Sequence, residues 1–214
     1  GVKQRVKALE AFLADAYGSG ELFRDGVVPR ETVVTSHHYH RVVAGIEPAN
    51  GVRIHVSGID LIRDGNGDFR VLEDNARVPS GVSYVMTNRR AMSGGLPEVF
   101  ANHRIRPVAR YSRQLLSALR AAAPAGVSDP TVVVLTPGVY NSAYFEHTLL
   151  ARTMGVELVE GRDLVCHGGR VMMRTTDGLA PVHVIYRRID DDFLDPLSFR
   201  ADSALGVPGL INAA

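Results

Sequence analysis

The sequence predicts a two-part α/β protein, with α+β character in the N-terminal part and a small α/β domain after it. Three patterns carry this prediction. Apolar side chains recur at helical spacing over 2–17, Asp64-Gly-Asn-Gly67 joins two β-rich runs, and a continuous apolar run at 131–136 precedes a further helix and strand. The texture of the sequence changes near residue 130, so we expect the two parts to span 1–126 and 127–214.

In the N-terminal part, the best-supported elements are a helix and a β-hairpin. The helix at 2–17 follows from apolar side chains at helical spacing, namely Val2, Val6, Leu9, Phe12, Leu13 and Tyr17. Residues 18–50 contain many glycines and prolines and are therefore predicted to form loops. The runs at 52–63 and 68–73 flank the turn sequence, a composition typical of two antiparallel strands.

Farther along the chain, a β-α-β unit is the main predicted feature. The patterns predict helices at 83–92, 106–123 and 142–154, strands at 131–136, 156–160 and 182–187, and a hairpin around Gly168-Gly169. The continuous apolar run at 131–136 is expected of a strand that is buried on both faces. Because a helix and then a second strand follow it, these elements indicate a parallel pair with a helical crossover.

Composition argues against several classes of protein. The formal net charge is +1, so no strong field indicates nucleic acid or a membrane surface as partner. No apolar run reaches the roughly 20 residues that a membrane-spanning helix needs. Cys166 is the sole cysteine, which excludes an internal disulfide and favours a cytoplasmic location. The chain begins with glycine, and its last residues read like the middle of a sequence, so we expect a fragment of a longer protein.

The hairpin carries the main functional signal. If its strands pair directly across the turn, Asp60 opposes Val71 and Gly58 opposes Glu73. Side chains alternate along strands, so Asp60, Glu73 and Asn75 then emerge on one face, and Gly58 leaves room for an ion. Magnesium prefers oxygen ligands and takes one or two carboxylates together with water and nucleotide phosphates. The pattern therefore predicts a magnesium–nucleotide site.

A second interpretation of the same hairpin stays open at this point. Its acidic side chains can simply face water, since the pattern Glu-x-Asn is common. Against that interpretation stand the apolar neighbours expected on the same face, among them Ile62, Phe69 and Val71. A turn of small residues, Pro79-Ser80-Gly81, also follows at once.

These residues resemble a known family. Asp60, Glu73-Asp-Asn75 and Pro79-Ser80-Gly81 are similar to the metal-binding strand pair of ATP-grasp ligases, and more specifically of the circularly permuted (type 2) ATP-grasp proteins related to glutathionylspermidine synthetase. Three further segments look like that family, namely 51–60, 135–142 and 185–192. The resemblance implies an ATP-grasp-like metal-binding hairpin subdomain within 1–126 and a small pre-ATP-grasp-like α/β domain at 127–214.

The resemblance also implies an activity. Such a ligase uses ATP and Mg²⁺ to convert a carboxylate into an acyl phosphate, which an amine attacks to form an amide or peptide bond. Asp60, Glu73 and Asn75 would then hold the magnesium and ATP. Ser80 and the amide of Gly81 would lie near the acceptor substrate. The expected partners are a small-molecule carboxylate and an amine, and self-association of the chain stays open.

Two departures from the family pattern alter this expectation. Related ligases often have an arginine two residues before the first acid, where this chain has Gly58, so Arg77, Arg187 or Arg188 would have to contact the transferring phosphoryl group. The chain also has no lysine beyond Lys7, whereas the family clamps its nucleotide with a lysine-bearing subdomain. A non-catalytic domain that binds a ligand or a partner without turning over ATP is therefore the alternative hypothesis.

Three further groups of residues each have more than one interpretation. Asn141 follows the buried strand and is a plausible N-cap, either as an ordinary helix start or as part of a substrate site. The cluster of His37, His38 and His40 is a polar loop or, less simply, a transition-metal site. Ser142 and His147 do not share a helix face, so we reject a hydrolase triad.

Overall fold

The computed structural model describes residues 1–41, 43–48 and 50–214. It divides into two compact units, Gly1–Pro79 and Ser80–Ala214. Both contain helices and strands, so the mixed α/β class predicted from the sequence is confirmed.

The described part of the first unit contains three helices and one hairpin. Its elements are α1 (Val2–Ala16), α2 (Glu21–Arg24), α3 (Arg30–Val34), 3₁₀ turns at Arg41–Val43 and Ala49–Gly51, and the antiparallel strands β1 (Gly58–Arg63) and β2 (Phe69–Asn75). The predicted first helix and the predicted hairpin are thus both present. Strand β1 is shorter than predicted, because residues 52–57 are irregular, and β2 extends two residues farther, to Asn75.

Helix α1 holds the hairpin at two places. The Glu10 carboxylate accepts hydrogen bonds from the backbone amides of Arg53 and Ile54, at 2.6 and 2.9 Å, which fixes the segment that leads into β1. On β2, the Arg5 guanidinium donates from Nε to both carboxylate oxygens of Asp74, at 2.7 and 2.8 Å. Two side chains of α1 therefore position both strands of the hairpin.

The second unit begins with helices and continues as alternating helices and strands. In chain order its elements are α4 (Val82–Gly95), α5 (Pro97–Asn102), α6 (Tyr111–Ala121), β3 (Val132–Leu135), α7 (Tyr144–Met154), β4 (Glu157–Val159), a 3₁₀ turn (Gly161–Asp163), β5 (Leu164–His167), β6 (Arg170–Thr175), β7 (Gly178–Val182), β8 (Val184–Arg187), α8 (Asp191–Leu194) and α9 (Leu210–Ala213). The sequence prediction had no counterpart for α5.

Two three-stranded sheets lie in this unit. The first is parallel, with strand order β4-β3-β8, and the second is antiparallel, with order β5-β6-β7. Strand β3 is the centre of the parallel sheet, and Val133, Val134 and Leu135 are 0% exposed. The prediction that this run is buried on both faces is confirmed, as is the parallel β3-α7-β4 crossover.

The single strand predicted at 182–187 is wrong, because the chain changes sheets within it. Val182 ends β7 in the antiparallel sheet, and Val184 begins β8 in the parallel sheet. His183 lies between the two strands, and its Nδ1 accepts a hydrogen bond of 3.0 Å from the backbone amide of Thr131. This bond holds the crossing point against the residue that leads into β3.

The boundary between the two compact units does not coincide with the change in sequence pattern near residue 130. Helices α4 and α6 precede residue 127, yet both pack against α7 in the second unit. The hydroxyls of Ser112 on α6 and Thr153 on α7 are 2.8 Å apart and form a hydrogen bond. The assignment of 1–126 and 127–214 as two family subdomains stays a prediction.

A fully buried aspartate fixes the C-terminal segment of the second unit. The Asp195 carboxylate accepts hydrogen bonds from the backbone amides of Leu197, Gly209 and Ile211, at 2.9, 3.0 and 3.0 Å. Burial alone would raise the pKa of Asp195, but these bonds to the ionised form outweigh it and lower the pKa below its usual value. The ionised carboxylate thereby holds the start of α9 against the loop after α8.

Candidate metal hairpin and candidate substrate residues

The hairpin contains a β-bulge that the sequence prediction did not include. Asp60 lies directly opposite Glu73 and Gly58 opposite Asn75, whereas Leu61 lies opposite Val71. The predicted pairs, Asp60 with Val71 and Gly58 with Glu73, are therefore wrong. Between Val71 and Glu73 the strand has one extra residue, and such an insertion shifts the register without breaking the ladder.

The bulge keeps the three predicted ligands on one face. Directly opposed residues of an antiparallel pair project to the same side, so Asp60 and Glu73 share a face, and Asn75 joins them two residues later. We call this the ligand face. From Asp60 back to Gly58, the observed pairing is shifted by two residues relative to the predicted register. A shift of two residues leaves every side chain on the face that was predicted.

Toward the turn, the predicted apolar surroundings of the ligand face are formed in part: Ile62 stays on it, and two other residues leave it. There the offset is one residue, which moves Phe69 and Val71 to the opposite face. Phe69 lies opposite Arg63, whose guanidinium carbon is 4.7 Å from the centre of the phenyl ring. On the ligand side, Arg70 lies opposite Ile62 instead.

The space expected at Gly58 belongs to the chain itself. A Cβ atom added to Gly58 would lie 2.9 Å from Cβ of Pro79 and 3.9 Å from Cβ of Asn75. The missing side chain therefore admits Pro79, and the idea that it leaves room for an ion beside Glu73 is wrong. A glycine is required here because the segment after β2 folds back over β1.

The acidic side chains on the two faces of the hairpin differ in whether they form ion pairs. Asp74 pairs with Arg5, and the hydrogen bonds of that guanidinium hold the pKa of Asp74 below its usual value. Asp60 and Glu73 are exposed, and no described residue forms an ion pair with either of them. Like charges directly opposite each other destabilise a strand pair, and a cation between them would remove that repulsion.

The donor set of the ligand face fits a hard cation. Two carboxylates and the carboxamide oxygen of half-buried Asn75 supply part of the shell that Mg²⁺ prefers, with positions left for water and phosphate oxygens. Throughout residues 1–41, 43–48 and 50–214, no group of three or more His, Cys, Asp or Glu side chains is arranged to hold a metal. The hairpin as a metal site stays a prediction, in which the remaining ligands would come from solvent or from the nucleotide.

The end of the small-residue turn after β2 is hydrogen-bonded to a buried carboxylate. Gly81 is the N-cap of α4 with φ +109°, a backbone conformation that favours glycine. Its amide donates to Oε2 of Glu146 at 2.8 Å, and the amide and hydroxyl of Ser83 donate to the same oxygen at 3.0 and 2.9 Å. The Gly81 amide, implied by the resemblance to face the acceptor substrate, thus already has an acceptor within the protein, while Ser80 is exposed.

Glu146 is joined to one of the predicted arginines. Arg188 is 5% exposed, and its Nη2 donates to Oε1 of Glu146 at 3.2 Å, while its Nη1 donates to the Tyr186 hydroxyl at 3.1 Å. Glu146 is 0% exposed and was not predicted as a functional residue, because its partners lie far from it in sequence. Gly81 and Arg188, two of the predicted site residues, are therefore brought together by a third that was missed.

The other two predicted arginines are placed differently. Arg187 is half-buried, donates from Nη1 to the carbonyl of Ile189 at 2.8 Å and pairs with Asp191 on α8. Arg77 is exposed. Neither Arg187 nor Arg188 points an uncommitted guanidinium at a phosphate, since each already binds a carboxylate of its own unit.

The family is identified by a match along the whole chain. A model of a protein family described as "a circularly permuted ATPgrasp" matches residues 1–214. The chain belongs to this family. ATP-grasp proteins generally use ATP and Mg²⁺.

Relatives of this ATP-grasp chain are longer than the chain itself. It is 67% identical over 214 residues to an uncharacterized protein of Mycobacterium tuberculosis, a match that covers all of this chain and 39% of the relative. An uncharacterized protein of Synechocystis is 55% identical over 211 residues, which is 99% of this chain and 44% of the relative. The chain thus spans about two fifths of the length of these relatives.

One predicted feature of the ATP-grasp chain, the N-cap role of Asn141, is corrected by local geometry. Helix α7 begins at Tyr144 with Ala143 as its N-cap, so Asn141 is not the cap that was predicted. Its side-chain oxygen instead accepts a 2.9 Å hydrogen bond from the amide of Ala143 and closes the turn before the helix. Asn141 as a substrate contact stays a prediction.

The histidine cluster forms ring contacts. The ring centres of His37 and His38 are 3.7 Å apart, and the neighbouring Tyr39 stacks on Tyr17 at 4.8 Å. No metal-binding arrangement includes these histidines within the described part of the chain. No helix in that part is both long and apolar enough to cross a bilayer.

A buried histidine lies next to the Glu146–Arg188 pair. His147 is 1% exposed, and its Nδ1 is 2.8 Å from the hydroxyl of Thr136 at the end of β3. Burial lowers the pKa of His147 to about 4, and the positive charge of Arg188 contributes in the same direction. The imidazole is therefore neutral in the folded chain at pH 7.

This pKa makes stability depend on pH in a defined window. An unfolded histidine has a pKa of about 6.5, so between about pH 6.5 and about pH 4 the unfolded chain binds a proton that the folded chain does not. The free energy of unfolding should therefore fall as pH is lowered through this window, by up to about 1.4 kcal/mol per pH unit.

Urea denaturation at pH 5 and pH 7 measures the effect. His147→Gln should flatten the dependence, whereas the exposed His167→Gln should leave it unchanged. Equal slopes in the wild type and His147→Gln would contradict the assignment.

Proposed function

We propose that this chain is part of an ATP- and Mg²⁺-dependent carboxylate–amine ligase, related to glutathionylspermidine synthetase, that forms an amide or peptide bond. The observation that carries the proposal is the pair of exposed carboxylates, Asp60 and Glu73, directly opposite each other on the hairpin. Membership of the ATP-grasp family supports it, because such a pair without a basic partner suits a metal–nucleotide complex. We further propose that the protein acts in the cytoplasm and can self-associate.

In this proposal, Asp60 and Glu73 bind through carboxylate oxygens, and Asn75 adds its carboxamide oxygen. When bound, Mg²⁺ would neutralise charge on the phosphates of ATP. The terminal phosphoryl group passes to an oxygen of the acceptor carboxylate, giving ADP and an acyl phosphate. An amine then attacks the acyl carbon, phosphate leaves, and the amine releases a proton. Ser80 would orient the acceptor, and Arg77, Arg187 or Arg188 would contact the transferring phosphoryl group.

The alternative is a non-catalytic domain that binds a ligand or a partner. It is favoured by the ion pairs of Arg187 with Asp191 and of Arg188 with Glu146, because both guanidinium groups already bind carboxylates of the chain. The two functions differ in one property. The ligase requires Mg-ATP to bind through the ligand face, and the binding domain does not.

Glu73→Gln tests the proposal because it removes one charge and keeps the shape of the side chain. Without metal, the variant should be more stable than the wild type by about 0.2–1 kcal/mol, since two like charges no longer face each other. With Mg-ATP at about 100 times its Kd, the wild type should gain about 2.7 kcal/mol, and the variant should lose most of that gain. Urea denaturation and isothermal titration calorimetry give the two quantities.

The calorimetry is made on this chain and on a longer form that continues past Ala214. We expect tight Mg-ATP binding in the longer form, and its loss in Glu73→Gln. Glu157→Gln is the matched control, because Glu157 is also an exposed glutamate on a strand. Mg-ATP binding that is unchanged in Glu73→Gln, or no Mg-ATP binding by either form, would favour the non-catalytic domain.

A further inference from the structure

The second unit contains a cavity that none of the predicted site residues lines. Its volume is 470 Å³, and it lies between α4, the segment that joins α5 to α6, and α7. Pockets for small organic ligands range from roughly 300 to 1,000 Å³ and are mainly apolar. This cavity meets both criteria, with an apolar lining that includes Met86, Phe100, Ile105, Val108 and Leu149.

The polar part of the lining is strongly basic. Arg89, Arg90 and Arg152 contribute to it, and no aspartate or glutamate does. Arg89 donates to the backbone carbonyl of Arg106. For Arg90 and Arg152, both exposed, no described residue provides a hydrogen-bond acceptor or a carboxylate to the guanidinium group. Two uncompensated cations therefore lie at the edge of an apolar space.

Charge and shape together indicate the occupant. A purely apolar ligand would leave the guanidinium groups unused, and a small inorganic anion would leave the apolar lining in contact with water. We propose that the cavity binds a small amphiphilic organic anion, with its aromatic or aliphatic body against Phe100 and Leu149 and its anionic group on Arg90 and Arg152. A guanidinium binds carboxylate, sulfonate or phosphate oxygens through paired hydrogen bonds.

The test uses two fluorescent probes that differ in one group. The probe 8-anilinonaphthalene-1-sulfonate has an apolar body and a sulfonate, and N-phenyl-1-naphthylamine has the same rings without the sulfonate. The full 214-residue chain should bind the sulfonate probe at one site, at least tenfold more tightly than the neutral probe. Decanoate, an aliphatic carboxylate, should displace it.

Charge removal at the edge of the cavity should separate the two probes. Arg90→Gln and Arg152→Gln should each weaken binding of the sulfonate probe about five- to tenfold and leave binding of the neutral probe unchanged. Arg113→Gln is the matched control, because Arg113 is an exposed arginine of α6 outside the lining. Ala109→Trp places a large ring in the cavity and should abolish binding of both probes.

Several results would overturn the proposal. Equal affinity for the two probes, or insensitivity to Arg90 and Arg152, would show an apolar surface without anion recognition. Binding that survives Ala109→Trp would place the probe elsewhere. A dimer in sedimentation velocity that Ala109→Trp dissociates would assign the cavity to a second copy of the chain. None of these results depends on the ligand face, so the proposal can fail or succeed independently of the proposed ligase.

Discussion

Replacing Glu146 with leucine should lower the free energy of unfolding by about 3–5 kcal/mol, because the change leaves the buried Arg188 without its carboxylate. Both side chains are almost inaccessible to solvent, with exposures of 0% for Glu146 and 2% for Arg188. The same substitution removes the acceptor of the Gly81 and Ser83 amides at the start of α4. Unsatisfied donors in a buried position add to the loss.

Urea denaturation of four chains measures this effect and its origin. The double variant Glu146→Leu/Arg188→Met should be clearly more stable than the sum of the two single changes predicts, because an apolar pair no longer contains an isolated charge. Glu157→Leu, an exposed glutamate on β4, is the control and should change stability by less than about 0.5 kcal/mol. A loss below about 1 kcal/mol in Glu146→Leu would mean that the pair is not a structural anchor.

This pair also bears on how the site is positioned. Glu146 fixes the backbone at Gly81, directly after Ser80, which the family resemblance places near the acceptor substrate. In the proposed ligase, we therefore expect Glu146 to act on catalysis through the turn rather than through contact with substrate. In the longer form, Glu146→Gln should raise the KM for the acceptor more than it lowers kcat.

Strong local patterns predicted the elements that the structure confirms. The helical spacing of apolar residues predicted α1, the Asp-Gly-Asn-Gly sequence predicted the hairpin, and the apolar run predicted the buried strand β3. The helix and the hairpin depend on interactions within a few residues. The buried strand is recognised because complete burial requires a continuous run of apolar residues. Such features can be derived from one sequence.

The details of the candidate site depended on contacts that no local pattern reports. Leu72 is one apolar residue among several, and nothing in its neighbours indicates that it is the extra residue of a bulge. Glu146 meets Ser83 across 63 residues of sequence. The ligand face survived the wrong register only because the one-residue offset on the turn side and the one extra residue of the bulge together shift the pairing by two residues.

Gly206→Ala should be among the most destabilising single changes in the second unit, with a loss of about 3 kcal/mol or more. A Cβ atom at this position would lie 2.2 Å from the carbonyl oxygen of Phe193 and 2.4 Å from that of Leu194. Backbone atoms cannot move aside as the end of a flexible side chain can. The adjacent Val207 is 0% exposed and donates its amide to Leu194 at 3.0 Å, so any displacement also breaks a buried hydrogen bond.

Gly94→Ala is the matched control for this prediction. Gly94 lies in α4 of the same unit, and an added Cβ would meet no atom within 4 Å, so the change should be neutral or should stabilise by up to about 1 kcal/mol. Urea midpoints of the two variants separate a local clash from a general intolerance of glycine replacement. If Gly206→Ala were as stable as Gly94→Ala, the loop after α8 would not pack against the segment before α9 as closely as described, and the buried Asp195 alone would hold that segment in place.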